Sequence, residues 1–314
     1  MKLVLSSAAL ALFLASPAAA QSWDEAVDGD LSNDRLAPTS IVLNAPMVSV
    51  TAAQQGNALG LDRDYLTVEV PAGQQWSGLM LTSYTATGNN LAFMGLQAGT
   101  EMTVDPMFAS PADLLGGLVY GNGEVGTDIL PAIGTLNNAI GFTPPLPSGS
   151  YTFWLNQTGG TSTLALSFLV EPTSLGTNYC SPAVNNSTGQ PGILTGMGSR
   201  FLALDEFSFT ASQLPQNAFA YGLGSAVQGF VMGAGGSAGD LCVSGPVGRF
   251  IGQIQSSGTT GTVTTVVDLS AMPQPTGPTM VFSGQAWNFQ VWHRDLSGGS
   301  VTSNFTDALS VTFL

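Results

Sequence analysis

Glycine and proline interrupt this chain too often for long helices. The 314 residues include 39 glycines and 18 prolines, which separate short segments of alternating apolar and polar side chains. In residues 65–70 (YLTVEV), Leu66, Val68 and Val70 share one face, and the other three side chains share the opposite face. A period of two predicts β-strands, and no sustained helical period of 3.6 residues follows residue 20.

The same alternation predicts strands throughout the chain. In the N-terminal half we expect strands at 65–70, 76–83, 91–97, 151–156 and 163–170. In the C-terminal half we expect them at 201–210, 218–222, 248–255, 262–269, 287–294 and 308–313. The predicted fold is all-β, with two antiparallel β-sandwich domains of the jelly-roll or immunoglobulin-like kind in tandem.

Residues 1–20 have the features of a secretory signal peptide. Lys2 precedes an apolar run at 3–14, and residues 16–20 (SPAAA) offer a cleavage site with small side chains. The run is shorter than the ~20 residues that span a bilayer. We expect cleavage after Ala20, no membrane span, and a periplasmic, cell-surface or extracellular location.

Two cysteines, Cys180 and Cys242, are the only ones in the chain. Because exported proteins meet oxidising conditions, one disulfide is the simplest interpretation, and a pair of buried free thiols is the alternative. Closing a loop of about 60 residues would restrict the unfolded chain by roughly 4 kcal/mol. No histidine is near either cysteine in sequence, so neither a catalytic thiol nor a zinc site is expected.

Acidic residues outnumber basic ones 20 to 6, which gives a net charge of −14. A surface of this sign repels phosphate backbones, so nucleic-acid binding is not expected. The acids are concentrated in residues 21–172, and residues 171–177 (EPTSLGT) have the composition of a linker. We predict an acidic β-sandwich at 21–172 and a glycine-rich β-sandwich with the disulfide at 173–314.

The N-terminal half carries a D-x-D-Y/W pattern followed by a strand, P-x-G and a late G-x-Y strand. These pieces lie in residues 61–73 and 146–153. The pattern resembles bacterial pre-peptidase C-terminal domains over about residues 24–170. Those domains are small accessory β-sandwiches on secreted enzymes, and acidic residues at their N-terminal edge often hold calcium, so the resemblance implies an accessory role.

The C-terminal half resembles modules of uncharacterised exported proteins that are common in planctomycetes and other environmental bacteria. The similar segments are 211–215, 239–242, 244–249, 290–295 and 302–307. This resemblance implies export and carries no established activity.

The densest acidic segment lies at residues 24–34 and suggests a calcium site. Oxygen ligands that alternate along a loop suit a hard cation such as Ca²⁺. The segment lacks the glycine and the final glutamate of an EF-hand, because Asn33 and Thr39 occupy those positions. A site could still form if the acids that precede Tyr65 fold against this segment. The predicted ligands are Asp28, Asp30, Ser32, Asp34, Asp62 and Asp64, and the alternative is a solvated acidic segment.

Tryptophans next to polar residues suggest a binding face. In the strand predicted at 287–294, Trp292 shares a face with Asn288, Gln290 and Arg294, and Trp154 lies among polar neighbours in its own strand. Such a tryptophan could stack on a sugar ring while amides supply hydrogen bonds. The alternative is that a loop or the other domain covers these side chains.

Catalytic motifs are weak. Residues 235–239 (GGSAG) match G-x-S-x-G around Ser237, but the strand and helix that this motif needs are not predicted there. The one histidine, His293, shares a face with apolar residues and is expected to be mostly buried. Asp205 and Glu206 are adjacent on a predicted strand and should point to opposite faces, which disfavours a glycosidase pair.

These features predict an exported, non-catalytic binding or accessory protein. Its partner would be an extracellular polysaccharide or a protein, recognised through sheet faces. The alternatives are a secreted hydrolase with an unrecognised site and a self-assembling surface or matrix component.

Overall fold

A computed structural model describes residues 22–56, 62–88, 91–157 and 159–314. The predicted signal peptide at 1–20 lies outside the described residues. Strands dominate the described chain, and the α-helices are short: α1 (Glu25–Asp28) and α2 (Leu130–Gly134). The all-β prediction is confirmed. No helix in the described ranges is both long and apolar enough to cross a membrane.

The N-terminal half forms two sheets that pack face to face. Its strands are β1 (Ser22–Asp24), β2 (Thr39–Val42), β3 (Met47–Gly56), β4 (Arg63–Val70), β5 (Gln74–Gly88), β6 (Leu91–Ala98), β7 (Gly116–Gly121), β8 (Gly149–Gln157) and β9 (Gly160–Pro172). One sheet has the order β1-β3-β9-β5 and the other β2-β4-β8-β6-β7. Between them, the rings of Trp76 and Phe168 from the first sheet pack against that of Phe153 from the second.

Two edge pairings in these sheets are parallel, whereas the sequence predicted antiparallel sheets. β1 pairs with β3, and β2 pairs with β4, each in parallel. Both pairings join strands that are separated by a long connection, and a long connection is what parallel pairing requires. The other pairings in the two sheets are antiparallel.

The C-terminal half has three layers of strands. They are β10 (Thr177–Tyr179), β11 (Ile193–Met197), β12 (Ser208–Ser212), β13 (Phe219–Ser225), β14 (Val227–Val231), β15 (Leu241–Ser244), β16 (Gly248–Arg249), β17 (Gln255–Ser256), β18 (Val263–Val266), β19 (Ala286–Ser297), β20 (Ser300–Phe305) and β21 (Ala308–Thr312). The main sheet has the order β10-β21-β19-β13-β16, with β17 on β13 and β20 on β19.

The main sheet is covered on both faces. The sheet β11-β12-β18 packs on one face, where Phe207, Phe209, Phe289 and Phe313 form a buried aromatic cluster. The hairpin β14-β15 lies on the opposite face. This second cover determines which polar side chains of β19 reach the surface.

A disulfide joins the hairpin to the edge of the main sheet. The sulfur atoms of Cys180 and Cys242 are 2.09 Å apart, and their Cα atoms are 6.4 Å apart. Cys180 follows β10, and Cys242 lies in β15. The predicted disulfide is confirmed.

A buried glutamate links the two halves of the chain. Glu171, near the end of β9, accepts hydrogen bonds from the Ser77 hydroxyl at 2.8 Å and from the Arg200 backbone amide at 2.7 Å. The Arg200 Nε lies 3.7 Å from the same carboxylate. Burial raises the pKa of Glu171, and these hydrogen bonds oppose the rise. The predicted boundary at 172/173 falls between β9 and β10.

Candidate cation site and aromatic face

Backbone pairing brings the acidic N-terminal segment onto β3 and β4. β1 runs beside β3, and α1 begins at Glu25 directly after β1. Leu31 is buried in the core, and Ser32 forms an isolated antiparallel bridge with Tyr65. Because Tyr65 follows Asp64 in β4, this bridge places the segment beside the Asp64 carboxylate.

Three carboxylates converge at this point, those of Glu25, Asp30 and Asp64. One ligand oxygen from each lies within 4.8 Å of the others. Glu25 is held in place by two backbone amides, since Leu31 N donates to one oxygen at 3.0 Å and Ala53 N donates to the other at 2.5 Å. Each Glu25 oxygen keeps a further lone pair for another partner. We call Glu25, Asp30 and Asp64 the acidic triad.

Asp64 is the deepest member of the acidic triad. Its alternation with Leu66 and Val68 places its side chain on the core-facing side of β4, and the residue is fully buried. Neither of its oxygens has a hydrogen-bond partner among the described residues. A buried carboxylate without a partner is costly in its charged form.

The pKa of Asp64 reflects this environment. Burial, reinforced by the charges of Glu25 and Asp62, raises it to about 8, although the Gln54 amide opposes the rise. Burial also raises the pKa of Glu25 and that of Asp62, and the Asp30 charge adds to both shifts. Among the described residues the only ion pair is Glu171–Arg200, so no basic side chain neutralises the acidic triad.

The other predicted calcium ligands are placed differently. Asp62 is close enough to raise the pKa of Asp64. Asp28 accepts a hydrogen bond from Asp24 N, and Asp34 accepts one from Leu36 N. The Ser32 hydroxyl donates to the Ala37 carbonyl at 2.7 Å. These last three side chains stabilise the local turns and lie outside the triad.

Glu25 was absent from the predicted ligands. The EF-hand spacing begins at residue 28, so it does not include Glu25. What places Glu25 is the parallel edge pairing between β1 and β3, which sequence periodicity does not reveal because β1 has three residues.

The acidic triad has the donor chemistry of a calcium site. Ca²⁺ takes oxygen ligands at about 2.4 Å, so carboxylate oxygens that lie within 4.8 Å of one another are close enough to share one such ion. A dication would also supply the partner that the buried Asp64 oxygens lack.

A second feature is a cluster of aromatic and cationic side chains on the main sheet. Tyr221 of β13 and Trp292 of β19 are opposite each other in the register, with ring centroids 5.0 Å apart and planes inclined by 33°. The guanidinium carbon of Arg294 lies 5.8 Å from the Trp292 ring centroid. Arg294 is exposed, and the two rings are partly exposed. We call these three residues the aromatic face.

Asn288 and Gln290, predicted beside Trp292 on an open face, are buried beneath the β14-β15 hairpin. Gln290 accepts a hydrogen bond from Cys242 N and donates to the carbonyls of Asp240 and Thr306. Asn288 accepts a hydrogen bond from the Gln228 amide and donates to the Ser225 carbonyl. Their amides hold the hairpin on the sheet, so the exposed part of the predicted site is Trp292 with Arg294.

Trp154 also lies in the interior. It packs in a hydrophobic cluster with Tyr65, Met102, Val104 and Leu114, and it remains 8% exposed. The segment after β6 covers this face of the sheet, which the alternation in β4 and β8 could not reveal.

Ser237 and His293 are engaged with different backbone groups. The Ser237 hydroxyl donates to the Ser303 carbonyl at 2.7 Å. His293 is buried, and its Nδ1 lies 3.1 Å from the Arg294 carbonyl. Burial lowers the pKa of His293. No hydrogen bond joins Ser237 and His293 within the described chain.

Searches against protein-family models and against curated proteins found no match to this chain.

Proposed function

We propose that this is an exported, non-catalytic binding protein that holds calcium in its N-terminal sandwich and recognises an extracellular polysaccharide with its C-terminal domain. The buried Asp64 carboxylate, which has no hydrogen-bond partner among the described residues, carries the proposal. Glu25 and Asp30 are close enough to share a cation with it. The resemblance of residues 24–170 to pre-peptidase C-terminal domains supports an accessory role.

Calcium would have a structural role in this function. Glu25 and Asp30 belong to the N-terminal segment, whereas Asp64 belongs to β4. A shared cation would therefore fix the segment to the sandwich and remove the repulsion among its carboxylates. The ion would stabilise the fold and would take no part in a reaction.

The aromatic face supports recognition of a polysaccharide. The rings of Tyr221 and Trp292 pack against each other and remain partly exposed, so their outer surfaces offer an apolar contact for a sugar ring. Export, which the signal-peptide pattern predicts, would bring this face into contact with extracellular polymers. A protein partner is the alternative ligand.

The proposal is tested by retention of the chain from residue 21 to 314 on insoluble polysaccharides, with calcium and with a chelator. The supernatant is assayed for released sugar. We expect retention without release, and we expect Tyr221→Ala to weaken retention while the far-ultraviolet circular dichroism is unchanged. Phe282→Ala, at an exposed position outside the aromatic face, is the control.

Three results would contradict the proposal. Release of sugar would indicate a hydrolase. Concentration-dependent self-association without retention would indicate a matrix component. Retention on no polysaccharide, with capture of one defined protein, would indicate a protein ligand.

A further inference from the structure

Arg294 is an exposed cation that forms no ion pair within the described part of this strongly acidic chain. Its guanidinium makes no hydrogen bond and no ion pair with any described residue. The adjacent Asp295 lies on the opposite face of β19 and is buried. Its oxygens accept hydrogen bonds from Ser187 N, Leu296 N and the Asn304 amide. Arg294 therefore keeps its donors for an external anion.

The position of Arg294 favours a planar anion. Its guanidinium lies over the Trp292 ring, and this cation–π contact restricts the side chain without using its N–H donors. The guanidinium fork matches a carboxylate with two parallel hydrogen bonds. An anion bound there would lie within reach of the apolar surfaces of Trp292 and Tyr221.

The geometry points to a uronic acid unit, a sugar that carries a carboxylate, as the ligand of the aromatic face; this inference rests on the proposed recognition of polysaccharide. The carboxylate pairs with Arg294 while the sugar ring packs on Trp292 and Tyr221. A neutral sugar would form no ion pair with Arg294 and would therefore bind less tightly. Charge complementarity therefore selects an acidic polysaccharide over a neutral one.

The net charge of the protein does not oppose this selection. The acids are concentrated before residue 173, and residues 173–314 contain six acids and three arginines. Charges separated by more than the Debye length, about 10 Å at 0.1 M salt, are largely screened. The adjacent Asp295 lies within this length, but it is buried on the opposite face of β19 with its oxygens hydrogen-bonded, so Arg294 is the nearer charge to an anion on the aromatic face.

The test is a calorimetric titration of the calcium-loaded chain with trigalacturonate and with its methyl ester. Trimers are used because they are too short to form calcium-bridged gels. The two ligands share their sugar rings and differ in the carboxylate charge. We expect the acid to bind about tenfold or more tightly than the ester, and we expect its affinity to fall as salt rises.

Three variants test whether Arg294 causes the preference for the acid over the ester. Arg294→Gln should remove the preference for the acid, and Arg294→Lys, which keeps the charge and loses the fork, should retain part of it. Arg249 is another exposed arginine that forms no ion pair with a described residue, and Arg249→Gln should leave the preference unchanged.

Three outcomes would overturn the inference. Equal affinity for acid and ester would refute it while leaving polysaccharide recognition intact. An equal loss in Arg249→Gln and Arg294→Gln would show that net charge alone governs binding. If neither trimer binds and the retention assay is also negative, the proposed function fails together with the inference.

Discussion

Asp64→Asn should stabilise the calcium-free protein at alkaline pH, although it deletes a residue of the proposed calcium site. Folding raises the pKa of Asp64 from the usual aspartate value of 3.8 to about 8, chiefly through burial. An acid whose pKa is raised by folding contributes its full stability when the pH is below its pKa in the unfolded state. This contribution is lost as the pH rises through its pKa in the folded state. Between pH 4 and 8 the loss is about 1.4 kcal/mol per pH unit, or about 5 kcal/mol in all. Asparagine does not ionise and avoids this loss.

Urea denaturation in chelator, repeated from pH 5 to 8.5, measures the effect. The wild-type free energy of unfolding should fall across this range more steeply than that of Asp64→Asn, and the two curves should diverge by several kcal/mol at pH 8. Calcium should restore stability to the wild type and not to the variant. Glu69→Gln, at an exposed position of the same strand, is the control. If Asp64→Asn is less stable than the wild type in chelator at pH 8, ionisation of Asp64 does not cost the fold this stability.

Three further substitutions test the fold. Replacing both Cys180 and Cys242 with serine should lower the free energy of unfolding by about 3–4 kcal/mol in urea denaturation, because the disulfide closes a loop of 62 residues. An unchanged denaturation midpoint would contradict this expectation. Glu171→Ala leaves a buried hydroxyl and a backbone amide without an acceptor and should cost about 3 kcal/mol in the same assay. Gln290→Leu should cost about 2–3 kcal/mol and speed hydrogen exchange of the β15 amides, since Gln290 accepts from one of them; unchanged exchange would refute this role.

Alternation identified most of the strands that carry a buried apolar face. The strand predicted at 65–70 corresponds to β4, and the one at 287–294 corresponds to most of β19. The expectation at 201–210 was accurate only at its end, because β12 begins at Ser208. β14 and the glycine-rich β7 have little alternation and were not predicted, and β3 was not predicted either, although its burial alternates.

Composition and alternation could not reveal what covers each sheet face. Asn288 and Gln290 have the polar pattern of an exposed face, yet their amides bond to the hairpin that lies on them. Thr67 similarly has the pattern of an exposed residue, but it is buried and donates to the Thr100 carbonyl. A polar residue that satisfies an overlying backbone looks the same in sequence as one that faces water.

The sequence predicted the region of the acidic site but did not identify which of its carboxylates converge. Acidic density pointed to residues 24–34 and to the acids before Tyr65, and the structure brings Asp30 and Asp64 together. The spacing could not distinguish residues that converge from those that cap turns, such as Asp34. That distinction depends on the bridge between Ser32 and Tyr65, which is a long-range pairing.

Calorimetric titration of calcium into the chelator-stripped chain measures whether the acidic triad binds this ion. We expect one calcium ion per chain, with binding lost in Asp64→Asn and kept in Asp28→Asn, whose carboxylate accepts a hydrogen bond from the local Asp24 amide. Binding that survives Asp64→Asn, or the absence of binding by the wild type, would show that the acidic triad is not a calcium site.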